Sequence, residues 1–271
     1  MKNTALRWTG YIVIAVVFAI LCAFLANWQF TRNEERASQI ALVEQNYDAV
    51  PVPQSELISV DTPLDADDEW RPVLLHGEYD ADAEVFVRNR PHGGTSAFEV
   101  LTPFRSDDGT TFIVNRGWVA PTEDSQPQPP PAPPSGEVEV VVRLRQSEPL
   151  PPSGRSAPQG QVPTIHVATV AQQVGGDVVT SAYGELVSET PAAAERPQAL
   201  ASPTEDPGPH LSYAIQWILF AIMGFAFISY VIRTEVHNRR EGKEHNAVRE
   251  RRRRDADASA EDELLDAAEG G

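Results

Sequence analysis

Two apolar blocks near opposite ends of the chain restrict its fold more than any other feature. The first covers residues 11–26, the second covers 213–232, and neither contains a charged residue. A buried helix of this length in a water-soluble protein carries a polar stripe, which both blocks lack. About 20 apolar residues suffice to cross the hydrocarbon core of a bilayer. The pattern predicts two transmembrane helices, over residues 10–30 and 210–232.

The first block also resembles a cleaved signal peptide, because Lys2 and Arg7 precede it as a basic start. Its length and the lack of an Ala-x-Ala site at its end favour a retained anchor. The single cysteine, Cys22, lies in this block, so a disulfide within the chain is excluded. The residues before Cys22 do not fit a lipoprotein signal, and we interpret it as a small apolar residue of the helix.

The distribution of charge predicts how the chain is oriented. Residues 233–254 hold nine Lys and Arg against four acids, whereas residues 33–209 hold ten against twenty-eight. Basic flanks stay in the cytoplasm, so residues 1–9 and 233–271 are predicted there, with residues 31–209 outside the cell membrane. The net charge of −17 argues against a nucleic-acid partner. The tail ends in an acidic stretch without a base and is predicted to be disordered.

The central region, residues 31–209, is predicted to be an extracytoplasmic domain, mainly antiparallel β, with minor helix. Its close strand spacing and short turns, such as Asp107–Gly109, suggest a barrel or a sandwich. The first helix is expected to continue to about Asn46, and residues 165–174 to pass into a short helix. Candidate strands cover residues 72–79, 84–90, 97–104, 111–119, 138–145 and 178–187.

Two inserts and a linker interrupt this pattern. Residues 121–134 contain seven prolines, and residues 149–163 mix Pro, Gly, Ser and Gln. Residues 189–209 have a similar composition and lead to the second apolar block. Such segments are typically extended and mobile at the surface.

No catalytic motif was found, so the sequence predicts a protein that is not an enzyme. The six histidines show no metal-ligand spacing apart from a pair in the tail, and no catalytic or metal residue is assigned. The acidic cluster Asp65–Glu69 is interpreted as a solvated loop. A membrane-anchored hydrolase or sensor domain remains an alternative, although the sequence offers it no nucleophile–base pair.

Polar and aromatic residues gather at the outer ends of both predicted spans. Polar side chains at bilayer depth seldom face lipid, so we expect these faces to contact each other, the outer domain or a partner. The alternative is an interfacial belt with intramolecular packing. The residues are Trp28, Gln29 and Arg32 after the first span, and His210, Tyr213, Gln216 and Trp217 in the second.

Several motifs in order make the chain resemble the surfeit locus protein one family, the Surf1/Shy1-like cytochrome c oxidase assembly factors. They span most of residues 10–232. The motifs are Trp28-Gln29 with Arg32, Arg71–Val73 with Gly77 and Tyr79, Arg88–Arg90, Leu101–Pro103, Asp108-Gly109, Val114–Trp118 and His210–Trp217.

The resemblance implies an assembly factor or accessory subunit of aa3-type cytochrome c oxidase that supports haem A insertion or oxidase stability in the respiratory chain. Its partners would be oxidase subunits, the largest above all, and the lipid bilayer. Some bacterial members are thought to bind haem A, which implies the alternative of a haem A carrier. His210 would then be the ligand, with Tyr213 and Trp217 packing against the porphyrin, although His210 could instead anchor the interface.

The inserts and the tail indicate which type of family member the chain resembles. The Pro-rich inserts and the basic-then-acidic tail are typical of high-GC Gram-positive (actinobacterial) members, which are found with the bcc–aa3 supercomplex. This implies a stable association with the oxidase in the cell membrane.

The motif Arg116, Gly117 and Trp118 could contact the oxidase. Alternatively, Gly permits a bend at a strand end while Trp seals the domain and Arg pairs with a carboxylate.

Overall fold

The computed structural model describes residues 2–60, 62–154 and 156–269. They form two compact units. One unit joins the two ends of the chain, up to Arg36 and from Pro207. The other unit is Ala37–Asp206.

The unit built from the chain ends consists of two long helices. Helix α1 is Lys2–Asn46 and helix α3 is His210–Glu269. Both are long and apolar enough to cross a membrane. That they do so, over residues 10–30 and 210–232, stays a prediction.

Small residues line the contact between these helices. Cys22 is 1% exposed, and Ala15 and Ala26 are buried beside it on α1. On α3, a Cβ atom at Gly224 would come within 2.9 Å of the Phe18 ring, so only glycine allows this approach. Small side chains let apolar helices pack closely where hydrophobicity alone gives no driving force between them.

The predicted disordered tail differs in the structure, where α3 continues without a break to Glu269. The final two residues of the tail lie outside the described residues. The sequence after residue 233 is rich in Arg, Glu and Ala, which favour helix, and contains no proline. Pairs one turn apart add support, such as Arg239 with Glu235 at 2.8 Å.

The unit Ala37–Asp206 is built on one mixed eight-stranded sheet. The strand order is β1-β2-β6-β8-β5-β4-β3-β7, with a further pairing between β2 and β4. Three pairs are parallel (β1–β2, β3–β7 and β5–β8) and the others are antiparallel. The strands are β1 Val52–Pro53, β2 Pro72–Tyr79, β3 Val85–His92, β4 Thr95–Ser106, β5 Thr111–Val119, β6 Val138–Gln146, β7 Gln161–Val162 and β8 Ala182–Thr190.

The six predicted strands correspond to β2, β3, β4, β5, β6 and β8. The predicted short helix is α2, Val167–Val174, which Gly175 ends with a φ of 77°. The predicted turn at Asp107–Gly109 joins β4 to β5, where Gly109 has a φ of 86°. Positive φ explains glycine at both places.

The β-rich class is confirmed, but the architecture needs correction. The structure has one mixed sheet rather than a regular antiparallel barrel or a two-layer sandwich. The reason is the connection through α2, which returns the chain as β8 beside β5 in the parallel direction. Parallel neighbours require such a crossover, which a hairpin cannot supply.

Three clusters of buried apolar residues pack on the sheet, and two of them are large. The larger draws on β2, β4, β5, β6 and β8 and includes Phe104, Phe112 and Leu144. The second packs α2 against β3 and β7 through residues such as Val87 and Ile165. Together they hold β3, β4 and β5 rigidly, and these strands carry most of the buried polar side chains described below.

The acidic segment Asp65–Glu69 is tied into this unit. Its backbone carbonyls at Asp67 and Glu69 accept hydrogen bonds from the buried Asn46 side chain, at 2.7 and 2.8 Å. The Glu69 carboxylate accepts from Arg145 at 3.0 Å. The cluster therefore secures the end of α1 and the neighbouring strand.

Candidate functional site

The structure brings together one pair of the predicted helix-end residues, Gln29 and His210. Their side chains meet with Nδ1 of His210 2.9 Å from Oε1 of Gln29. With the amide oxygen in this position, Nδ1–H is the donor, and a neutral ring in that tautomer would leave the lone pair on Nε2. A Cβ atom at Gly208 would lie 3.8 Å from Nε2, which is an ordinary van der Waals distance.

The other predicted residues at these helix ends are more exposed. Trp28 and Tyr213 are each 48% exposed, and Gln216 is exposed as well. Trp217 packs edge-to-face on Phe220 of its own helix, with ring centroids 5.6 Å apart. Arg32 pairs with Glu35 of its own helix at 3.0 Å. The expected contact between the two faces is therefore made by Gln29 and His210, while the exposed side chains remain available to other molecules.

Arg116 lies inside the β-rich unit rather than on its surface. Its side chain is 0% exposed and lies 3.3 Å from a carboxylate oxygen of Glu84. It also donates to the carbonyl of Pro131 at 3.0 Å and lies over the Tyr79 ring. The predicted surface insert 121–134 thus reaches back to the sheet. Burial raises the pKa of Glu84, although hydrogen bonds from Thr102 and Arg116 and the charge of Arg116 oppose the rise.

Gly117 and Trp118 fix the segment that follows the sheet. A Cβ atom on residue 117 would overlap the carbonyl oxygen of Gln198, and Gly117 has a φ of 123°. Trp118 exchanges backbone hydrogen bonds with Gln198 and donates from its indole to Ala199 at 3.2 Å. These contacts agree with the structural alternative for the motif, in which glycine and tryptophan seal the domain.

A buried polar network across β3, β4 and β5 was missed at the sequence level. Glu99 is its centre and lies 2.9 Å from Nδ2 of Asn115 and 3.1 Å from Nε2 of His92. The His92 ring stacks on Trp118 with the planes 4° apart. Arg90 contacts Glu99 at 3.3 Å and also bonds to Glu148. The polar motifs Arg88–Arg90 and Asn115–Arg116, which interrupt apolar strands, are the sequence signal that could have predicted this network.

Charges within this network shift the pKa values of the ionisable side chains that belong to it. Burial alone would raise the pKa of Glu148, but the hydrogen bond and charge of Arg90 and the backbone N–H of Ile165 hold it below its ordinary value. Burial also opposes the charge of Arg90, yet Glu99 and Glu148 raise the pKa of its guanidinium. The ion pairs thus favour the charged forms on both sides.

Within the described part of the chain, no group of three or more His, Cys, Asp or Glu side chains is arranged to hold a metal ion. The geometry at the helix ends offers instead one oriented imidazole and exposed aromatic and polar side chains. Such groups suit binding to a partner or an organic cofactor.

Comparison with known proteins gives a consistent set of matches. The family model described as the SURF1 family matches residues 16–222. A SURF1-like protein of Mycobacterium tuberculosis is 35% identical over 241 residues, which is 87% of each chain.

Matches also extend to eukaryotes. The cytochrome oxidase assembly protein SHY1 of Saccharomyces cerevisiae is 33% identical over 115 residues, 40% of this chain and 28% of that protein. Surfeit locus protein 1 of Homo sapiens is 28% identical over 163 residues, 54% of this chain and 51% of that protein.

Proposed function

Because the chain belongs to the SURF1 family, we propose that it acts as a non-enzymatic assembly factor or accessory subunit of aa3-type cytochrome c oxidase. The single observation that carries this proposal is the match to the SURF1 family model. A yeast relative is named as a cytochrome oxidase assembly protein, which supports the same role. The matched span, residues 16–222, includes part of the apolar segment of each long helix and the whole β-rich unit. The proposed role therefore belongs to the full arrangement of anchor helices and sheet.

We place the protein in the cell membrane with both termini in the cytoplasm. The exposed apolar side chains of α1 and α3, such as Phe24 and Phe227, support insertion into lipid. The cluster of bases after residue 232 supports a cytoplasmic C-terminus. In this topology the β-rich unit lies on the outer side of the membrane.

The exposed residues at those helix ends are the proposed contact with the oxidase, above all its largest subunit. Trp28 and Tyr213 combine a large apolar ring with a polar group, which suits a protein interface near the membrane surface. Arg32 and Gln216 add polar contacts next to them. In a bacterium with a bcc–aa3 supercomplex, this surface would support stable association and oxidase maturation.

A haem A carrier is the second candidate, and the Gln29–His210 hydrogen bond favours it. A histidine that donates from Nδ1 to an oxygen has a fixed tautomer and a ligating Nε2. Iron in haem proteins is commonly held by such an imidazole. His210 would hold haem A through Nε2, while Tyr213 and Trp217 would pack against the macrocycle. The haem would be a passenger for the oxidase, where it supplies the redox chemistry.

Deletion of the gene tests the main proposal. Membranes of the deletion strain should lose much of the aa3 absorbance band and of the oxidase activity, and the wild-type gene should restore both. An unchanged band together with unchanged activity would contradict the proposal.

Copurification then tests the contact surface. Affinity-tagged wild-type protein should recover oxidase subunits from solubilised membranes, and Trp28→Ala with Tyr213→Ala should recover fewer. Val60→Ala is a control, since Val60 is an exposed apolar residue of the β-rich unit. Equal recovery by all three proteins would reject the proposed surface.

A further inference from the structure

A polar cavity of about 630 Å³ lies in the β-rich unit. Arg88, Asn89 and Arg90 of β3 line one side, and the insert 149–163 lines the other with residues such as Gly154 and Ser156. This volume falls in the range of small-molecule sites. The cavity is therefore large enough for a ligand bigger than a simple ion.

The charge of Arg90 is already balanced. Its guanidinium contacts Glu99 at 3.3 Å and also pairs with Glu148. Neither carboxylate lines the cavity among the described residues. Arg90 thus contributes shape and hydrogen-bond donors to the wall, but little net charge.

Arg88 has no such compensation. Among the described residues it forms no ion pair, and its Nε atom is buried without a hydrogen-bond partner. A buried donor that lacks an acceptor costs free energy, and a charged one costs more. The cavity wall therefore carries one positive charge that an anion would satisfy.

The backbone of β3 concentrates these donors. Arg88, Asn89 and Arg90 are consecutive, and regular alternation along a strand would turn Asn89 to the face opposite the two arginines. The pairing of β3 with β4 shifts register between Val87 and Arg90, and Asn89 has a φ of 60°. Such a bulge re-aims a side chain, and here all three consecutive residues line the cavity.

We propose that this cavity binds a phosphate group, with Arg88 as its main charged contact. A guanidinium fork matches phosphate oxygens with paired hydrogen bonds. Asn89 and Ser156 also line the cavity and add uncharged hydrogen-bond donors. The phosphate belongs to a small phosphorylated molecule or to a phospholipid headgroup. This site does not depend on the proposed role in oxidase assembly.

Calorimetric titration of the full chain in detergent tests the site. Glycerol 3-phosphate and inorganic phosphate are the soluble probes. Wild-type protein should bind at least one of them saturably, Arg88→Gln should weaken binding by about tenfold or more, and Arg88→Lys should recover part of the loss. Arg105→Gln is the matched control, because Arg105 is 67% exposed and pairs with Asp80 away from this cavity.

A second variant covers the case in which Arg88→Gln does not fold. Ser156 is exposed in the insert, so Ser156→Trp should leave the sheet intact while its indole fills the cavity and abolishes binding. Short-chain phosphatidylglycerol in the same detergent distinguishes the sources. Displacement of the soluble probe by this lipid identifies a headgroup, and failure of displacement identifies a soluble ligand.

Three outcomes would overturn the proposal. They are the lack of saturable binding by any of the three probes, equal binding by wild-type and folded Arg88→Gln protein, and an equal loss in Arg105→Gln.

Discussion

Nδ1 of His210 lies 2.9 Å from Oε1 of Gln29, so the first residue of α3 is joined to a residue 181 positions earlier in α1. This hydrogen bond joins the two long helices beside their apolar segments. With Oε1 as the acceptor, Nδ1 is the nitrogen that donates in this contact. The contact therefore bears on the stability of the helix pair, and a neutral ring in this tautomer would have Nε2 as its ligating atom.

The first prediction concerns the strength of this contact. Gln29→Ala and His210→Ala should each lower the free energy of unfolding of the helix pair. The double variant should lose less free energy of unfolding than the two single variants lose together. We expect a coupling free energy of about 0.5–1.5 kcal/mol, since polar contacts between apolar helices fall in that range. Reversible unfolding in mixed micelles would measure it.

The control for this cycle is Gln216, which is exposed on the same helix as His210. Gln216→Ala combined with His210→Ala should give additive losses. A zero coupling for Gln29 with His210 would show that the hydrogen bond contributes no net stability.

The second prediction concerns Gly117. A Cβ atom there would overlap the carbonyl oxygen of Gln198, and the positive φ adds strain. Gly117→Ala should lower the free energy of unfolding by roughly 2–4 kcal/mol, measured by denaturant titration followed through tryptophan fluorescence.

Gly109→Ala is its matched control. Gly109 also has positive φ, at 86°, but has open space around its Cα. Gly109→Ala should lower the free energy of unfolding by only about 1 kcal/mol, because it carries the conformational cost without a steric overlap. Equal losses for the two variants would contradict the role given to the Gln198 contact.

Strand β6 shows what local sequence pattern could predict. Burial alternates along this strand: Val138, Val140, Val142 and Leu144 are buried, and the residues between them are more exposed. Period-two alternation reports a strand with one face in the core. The other main strands are predicted from short apolar runs bounded by turns, since β5, for example, is buried at nearly every residue and does not alternate.

Glu99 shows what that pattern could not predict. A glutamate in a strand is expected to face water, yet Glu99 is buried in β4. Its burial depends on donors from Arg90, His92 and Asn115, which come from two other strands. Such compensation arises from pairing between distant segments, as does the parallel β5–β8 contact, and no local pattern contains it.

The third prediction is a pH dependence of stability. Arg90 and the Ile165 backbone hold the pKa of Glu148 below its ordinary value despite burial. The unfolded chain then binds more protons than the folded one between the two pKa values. Stability from Glu148 is thus fully present above the ordinary value, near 4.3, and is lost as pH falls through the lowered folded value.

Glu148→Gln should therefore be less stable than wild type at neutral pH and lose less stability on acidification. Melting temperatures between pH 7 and pH 3 would measure both effects. Glu137→Gln is the control, because Glu137 is exposed beside β6 and forms no ion pair among the described residues. Parallel pH profiles for wild type and Glu148→Gln would refute the assignment.

The last prediction separates the two proposed functions at His210. If the protein carries haem A, material purified from haem-A-producing cells should show a haem spectrum, with Nε2 of His210 as the proposed iron ligand. His210→Ala should lose or alter that spectrum. Gln29→Ala should keep the ligand but free the ring to rotate, and so should weaken haem retention and shift the band. His166→Ala is the control, since His166 bonds to Thr169 in the β-rich unit. A colourless wild-type preparation that still recovers oxidase subunits would reject the carrier and keep the assembly factor, whereas a spectrum unchanged in His210→Ala would place the haem on another residue.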